Sequence, residues 1–180
     1  MFDAILTTPE LFNIRRETCE ENNIGIELSD KLLKTGNFII LKIDAYYNST
    51  RMHNPSPAID CLIIVKCTTA ECYDFYLIEL KNVKKIGGVK IENIKSKFGT
   101  AIDFIEKEFA KIFNHYCLNR AYFYFVSDAL QLKKQGFTEE QYRKKIKGCK
   151  LDYLQNTIFQ FRGKIVFISP ELPNPMVKEC

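Results

Sequence analysis

The chain has 180 residues, 26 Lys+Arg against 22 Asp+Glu, a formal net charge of +4 and 46% hydrophobic residues. That apolar fraction excludes a disordered chain, and the length suits one domain with a real core rather than two independent ones. No apolar run approaches the roughly 20 residues of a membrane helix, and Met1-Phe-Asp-Ala lacks the basic start of a signal peptide.

In chain order, Pro9–Asn22 reads as a helix with proline in its first turn, and Ser29–Lys34 as a turn of helix. Asn37–Tyr47 is rich in β-formers and reads as a strand, followed by an Asn/Ser/Pro loop over Asn48–Pro57. Ala58–Cys67 and Tyr73–Lys81 read as two more strands, joined by a segment (Thr68–Cys72) short enough for an antiparallel hairpin. Both are apolar at nearly every position, so the sheet is expected to be covered by helices on both faces.

Gly87-Gly88 breaks the chain before Glu92–Tyr116, where Ile94, Phe98, Ala101, Ile105, Phe109 and Ile112 form one buried helical stripe. Ala121–Ser127 is a fourth strand, whose alternating aromatics read as core rather than as a base-stacking platform. Thr138 to Gln141 is a capping box opening a helix to Lys147, stopped by Gly148. Lys164–Ser169 is a fifth strand, and the tail from Pro170 is expected to wrap the surface. A meander followed by a β-α-β crossover gives an α/β fold with a mixed central sheet flanked by helices.

Seven cysteines, an odd number, with no export signal point to reduced thiols in a cytoplasm. Cys61, Cys67 and Cys72 lack the paired spacing of a structural zinc site and read as small buried hydrophobes.

Among the charged residues of these strands, Asp60, Glu79 and Lys81 stand where a buried sheet should not have them. Residues i and i+2 of a strand share a face, so Glu79 and Lys81 point one way and Leu80 the other. A hairpin brings Asp60 towards Glu79. Two carboxylates in one buried place repel and resist ionisation; a hard divalent cation relieves both effects. An isolated Glu-x-Lys on a strand is usually an exposed ion pair of little value. In a sheet apolar on both faces, a charge cluster kept for stability alone is unfavourable, which favours a functional reading.

Asp60 followed by Glu79-Leu80-Lys81 at the end of the next strand resembles the PD-(D/E)xK nuclease superfamily, which includes restriction endonucleases and junction resolvases. The resemblance spans about Pro9–Ser127 and implies a restriction endonuclease-like core (αβββαβ), with residues 128–180 as decoration on a single domain of 1–180. It also implies that Asp60 and Glu79 ligate Mg²⁺ (or Mn²⁺ in its place), that Leu80 lends its backbone carbonyl, and that Lys81 positions the attacking water. Ile59 stands where the family pattern has proline, with Pro57 further upstream. Some members add a first-helix glutamate; Glu17, Glu20 and Glu21 are available, with Glu21 taken as the auxiliary acid.

Charge is unevenly spread. Lys81–Lys150 holds 16 Lys+Arg and 7 Asp+Glu, a net of +9, while the remainder is −5. Lys84, Lys85, Lys95 and Lys97 are expected to contact phosphates of a nucleic acid, most naturally DNA. Cutting both strands of a duplex implies a homodimer or a partner subunit. The expectation is therefore a cytoplasmic Mg²⁺-dependent endonuclease. Two readings stand beside it: a catalytically degenerate module that binds nucleic acid or a protein partner, and a structural domain whose charges are an ion-pair cluster.

Overall fold

The computed structural model describes residues 1–49, 56–68, 71–83, 85–132 and 136–180. The chain opens with two short helices, α1 (Phe2–Thr7) and α2 (Pro9–Asn13), then four two-residue strands: β1 (Arg15–Arg16), β2 (Glu20–Glu21), β3 (Ile24–Gly25) and β4 (Glu27–Leu28). The helix expected over Pro9–Asn22 thus ends at Asn13. Leu11 and Ile14 bury at once, and the polar residues that follow are used in edge pairing rather than in further helical turns. Helix α3 (Asp30–Thr35) starts where Ser29 Oγ accepts from Leu32 N and stops at Gly36, whose left-handed φ of 65° suits glycine.

Strand β5 (Phe38–Lys42) is half the expected length, because Ile43–Ser49 turns into helix α4 and buries Ile43 and Tyr47. Strands β6 (Cys61–Lys66) and β7 (Cys72–Lys81) form the expected antiparallel hairpin, with Cys61 opposite Ile78. Helix α5 (Ile91–Asp103) continues through a π-helical turn, Phe104–Glu108, into α6 (Ala110–Phe113). It crosses to β8 (Cys117–Ser127), which lies parallel to β7. Helix α7 (Glu139–Ile146) carries the capping box on Thr138 and Gln141. Then come α8 (Lys150–Gln155), β9 (Ile158–Phe161), β10 (Lys164–Glu171) and β11 (Met176–Val177).

The result is a mixed α/β fold around a seven-stranded mixed sheet of order β1-β5-β6-β7-β8-β10-β9. Strands β5, β6 and β7 are the meander, and β7, β8 and β10 run parallel. Strand β10, from the segment expected as decoration, lies inside the sheet. No helix among the described residues is long and apolar enough to cross a membrane.

The two faces of the sheet are dressed unequally. On one face, Leu62, Ile64, Phe75, Leu77 and Phe123 pack against α1, α2 and α4 to α8 in the larger core, where Phe98 stacks on Phe123 with ring centres 5.2 Å apart. On the other, Ile63, Val65, Ile78 and Leu80 pack with Leu32 of α3, Ile24 and Val177. The described helices therefore crowd one face, and α3, the β2–β3 hairpin and the C-terminal tail cover part of the other. The tail does wrap the surface: β11 pairs in parallel with β4.

The cysteines correct the sequence expectation. Cys19 pairs with Cys61, Cys67 with Cys180 and Cys72 with Cys117, leaving Cys149 free. The spacing gave no hint of this, because each pair joins segments that only the sheet and the tail bring together.

Two expectations test this architecture. Phe98→Ala removes a fully buried ring from the larger core, and should lower the unfolding free energy by about 3–5 kcal/mol in a denaturant titration. Alkylating the folded, unreduced chain should add a single iodoacetamide adduct, at Cys149, by mass spectrometry; adducts at the paired cysteines would rule the bridges out.

Candidate active site

The C-terminal end of β7 and the entry to β6 meet in one place. Asp60 stands one residue before β6 and across from Glu79 in the hairpin register. Alternation puts both on the crowded face with Leu62 and Leu77, while Leu80 points into the opposite layer. Asp60 is 4% exposed and Glu79 1% exposed, so both are taken out of water.

Their hydrogen bonds are few. Asp60 Oδ2 accepts from Leu80 N at 2.7 Å, which ties the carboxyl to the strand it faces. Glu79 Oε1 accepts from Lys97 Nζ, also at 2.7 Å. Glu79 Oε2 is buried and meets no N–H or hydroxyl donor, and the Glu79 carboxyl is also hydrogen-bonded to Asp60. Lys42, at the end of β5, places Nζ 3.9 Å from Asp60 Oδ1 and 4.0 Å from Asp44.

Burial pushes the Asp60 carboxyl up to about 6, and the neighbouring Glu79 charge pushes the same way. Glu79 is raised too, by burial, against the pull of Lys97. Glu21 is raised by burial and by its hydrogen bond to Asp60. Three acids that all resist ionisation make a site short of positive charge. Hard oxygens are the donors a small divalent cation takes, but Asp60, Glu79 and Glu21 do not bring one oxygen each within 4.8 Å of one another.

The structure assembles the expected residues unevenly. Glu21 reaches Asp60 and lines the same cavity of about 430 Å³. It comes from β2 and not from a helix, held there by Asn82 Nδ2 donating to Asn22 O at 2.9 Å and by the Cys19–Cys61 bridge. Leu80, Lys81 and Lys97 also line that cavity. Lys81 is exposed at its mouth and shares a second, 220 Å³ hollow with Glu79 and Lys90.

The phosphate-contact lysines scatter. Lys97, expected to face a phosphate, is instead drawn inward against Glu79. Lys95 is half-buried and paired with Glu92 at 3.0 Å, Lys85 is exposed, and Lys84 lies outside the described residues. Sequence reading missed Lys42 as a member of the cluster; a lysine closing the apolar run Phe38–Leu41 was the available signal.

Among the described residues, three potential metal ligands converge within 4.8 Å only at Cys67, Asp74 and Cys180. The two cysteines there bond to each other. No family model, curated protein or solved structure matches the chain.

The raised carboxyls set a pH dependence. The folded state holds the Asp60 proton more tightly than an unfolded chain with the ordinary value of 3.8. Stability therefore falls as pH rises from about 4 to about 6, because ionisation has to occur in a buried place. Asn at this position keeps an oxygen for Leu80 N but carries no charge. In EDTA, Asp60→Asn should stabilise the chain by about 1–3 kcal/mol at pH 8 and by nothing measurable at pH 4, in parallel denaturant titrations.

Proposed function

We propose that the protein is a divalent-cation-dependent endonuclease of restriction endonuclease-like type, acting on DNA, with its centre at Asp60, Glu79 and Lys81. The observation that carries this reading is the buried Asp60–Glu79 carboxyl pair, both of whose members resist ionisation. Asp60 and Glu79 would hold Mg²⁺ or Mn²⁺, with the Leu80 carbonyl as the third protein ligand that the family resemblance implies and Glu21 as the auxiliary acid.

A bound cation there supplies positive charge for a phosphate oxygen and lowers the pKa of a water. The chain's own groups do the rest. Lys81 stands at the open mouth of the cavity, where its ammonium can neutralise a phosphodiester and orient a water. Lys97 holds the Glu79 carboxylate from the helix side. Water oxygen attacks phosphorus and the P–O3′ bond breaks; by the superfamily's habit this leaves a 5′-phosphate and a 3′-hydroxyl. The basic stretch from Lys81, with Lys84, Lys85 and Lys95, would guide the DNA backbone, and one centre per chain argues for a homodimer or a partner subunit.

One observation favours a second reading, the degenerate binding module. Lys97 sits directly on Glu79 Oε1, where it already supplies positive charge that a cation would otherwise bring. The cytoplasmic placement expected from reduced thiols loses that support, because cystines persist in oxidising surroundings.

Plasmid nicking separates the two. Wild type should nick DNA with Mg²⁺ and not in EDTA, and Asp60→Asn and Lys81→Ala should each lose about a hundredfold or more while keeping a native circular dichroism spectrum. Mg²⁺ should also raise the melting temperature of wild type and leave that of Asp60→Asn unchanged. Salt-sensitive DNA binding without cleavage or thermal shift would assign the degenerate module.

A further inference from the structure

A second cleft, of about 700 Å³, opens on the thinly covered face of the sheet. That volume falls within the range of small-ligand sites. Its floor is Tyr122 and Tyr124 of β8 and Phe167 of β10, and one end is closed by Tyr142 and Arg143 of α7 and by Glu171. The aromatic run of β8, read in the sequence as core, divides between faces. Phe123 and Phe125 are buried in the larger core, whereas Tyr122 and Tyr124 are only partly covered. Tyr122 stacks on Tyr76 with centres 4.5 Å apart, leaving its other surface to the cleft.

Three features make this more than bare apolar surface. Ile165 and Phe167 are 68% and 50% exposed although they line a concavity, so flat apolar area stands ready to be covered. Tyr142 lines the cleft at only 2% exposure, so its ring is a fixed wall. Glu171 Oε1 accepts from Ser169 Oγ at 2.6 Å, which fixes the carboxyl and leaves Oε2 to face a ligand. Burial also favours the protonated form of Glu171, with Glu139 adding to the effect and Arg143 opposing it. A carboxyl that exchanges its proton can both donate to and accept from an N–C–NH₂ edge.

We infer that this cleft binds a nucleobase, stacked on the Tyr122–Tyr124 floor and hydrogen-bonded by Glu171. Aromatic floors accept any base through its π face, and a carboxyl that both donates and accepts matches an adjacent donor and acceptor on a base edge. Arg143, paired with Glu139 at 2.6 Å, and Lys178 stand at the cleft for the attached phosphate. The base could come from a free nucleoside phosphate or from an unpaired nucleotide of a strand. Glu171 pairs with Val126, and Val126 with Leu80, so the cleft ends two strands along the same sheet edge as the acid centre. The inference rests on the cleft alone and does not require that centre to cleave.

Isothermal titration calorimetry of the full chain in EDTA, with adenosine and cytidine 5′-monophosphates and with a short unpaired oligodeoxynucleotide, tests it. Binding is expected, weakened about tenfold or more by Tyr124→Ala and by Glu171→Ala. Tyr124→Phe should bind as wild type does, and so should Asp60→Asn, which disables the acid centre only. Mononucleotide binding assigns a free nucleoside phosphate; binding of the oligonucleotide alone assigns a strand. No binding of either probe, or binding undiminished in both alanine variants, overturns the inference. So does a Phe167→Asp-sensitive dimer in sedimentation with no nucleotide bound, which would assign the cleft to a second copy of the chain.

Discussion

Everything about this fold turns on the β6–β7 hairpin being apolar on both faces. Strand β6 from Cys61 to Val65 and β7 from Tyr73 to Leu80 are buried throughout, so every side chain must find a dry neighbour above or below the sheet. Each well-buried aliphatic or aromatic side chain contributes about 1.5–3 kcal/mol. Such a hairpin tolerates charge along its length only where a partner answers it, as Asn119 does for Asp74. It leaves room at its end, where the strands run out and the backbone N–H of Leu80 becomes free to bind Asp60. The acid pair sits where the hydrophobic constraint relaxes.

The cost of burying that pair is met from four directions. Lys97 comes down from α5, Lys42 across from β5, Glu21 in from the β2–β3 hairpin, and Leu80 N from the strand itself. The compensation is incomplete, since the three carboxyls still resist ionisation. A purely structural cluster gains nothing from such incompleteness, because a buried, incompletely compensated charge is destabilising. A site that waits for a cation or a phosphate can tolerate it.

The unequal dressing of the sheet has its own consequence. Seven helices pack on one face, and the other depends on a two-turn helix, short hairpins and a tail that is pinned by β11 and the Cys67–Cys180 bridge. That cover runs out over β8 and β10, which leaves tyrosines and Phe167 as walls of a cleft rather than as core. Parallel strands β7, β8 and β10 end along one edge, and both candidate sites sit there, as sites in open α/β sheets generally do.

Much of this was legible in the residues. Continuous apolar runs, a helical stripe and turn chemistry marked the meander, the long helix and the crossover, and i, i+2 alternation alone put Glu79 and Lys81 on one face. The Asp60–Glu79 approach followed from hairpin register. Local patterns of that kind survive because they are short-range. What they could not carry is contact between distant segments. Glu21 belongs to a strand, not a helix, because edge pairing and the cystine bridge overrode local propensity. Lys97 turns inward and Lys95 outward although both read as surface lysines, since only the packing of α5 on β7 decides which one meets Glu79. The cysteine pairs join positions 42, 45 and 113 residues apart. The sequence by itself determined the central strands and the acid pair; tertiary structure decided the order of the sheet, which cations answer that pair and which face of the sheet stays open, because these depend on groups that meet only after the chain has folded.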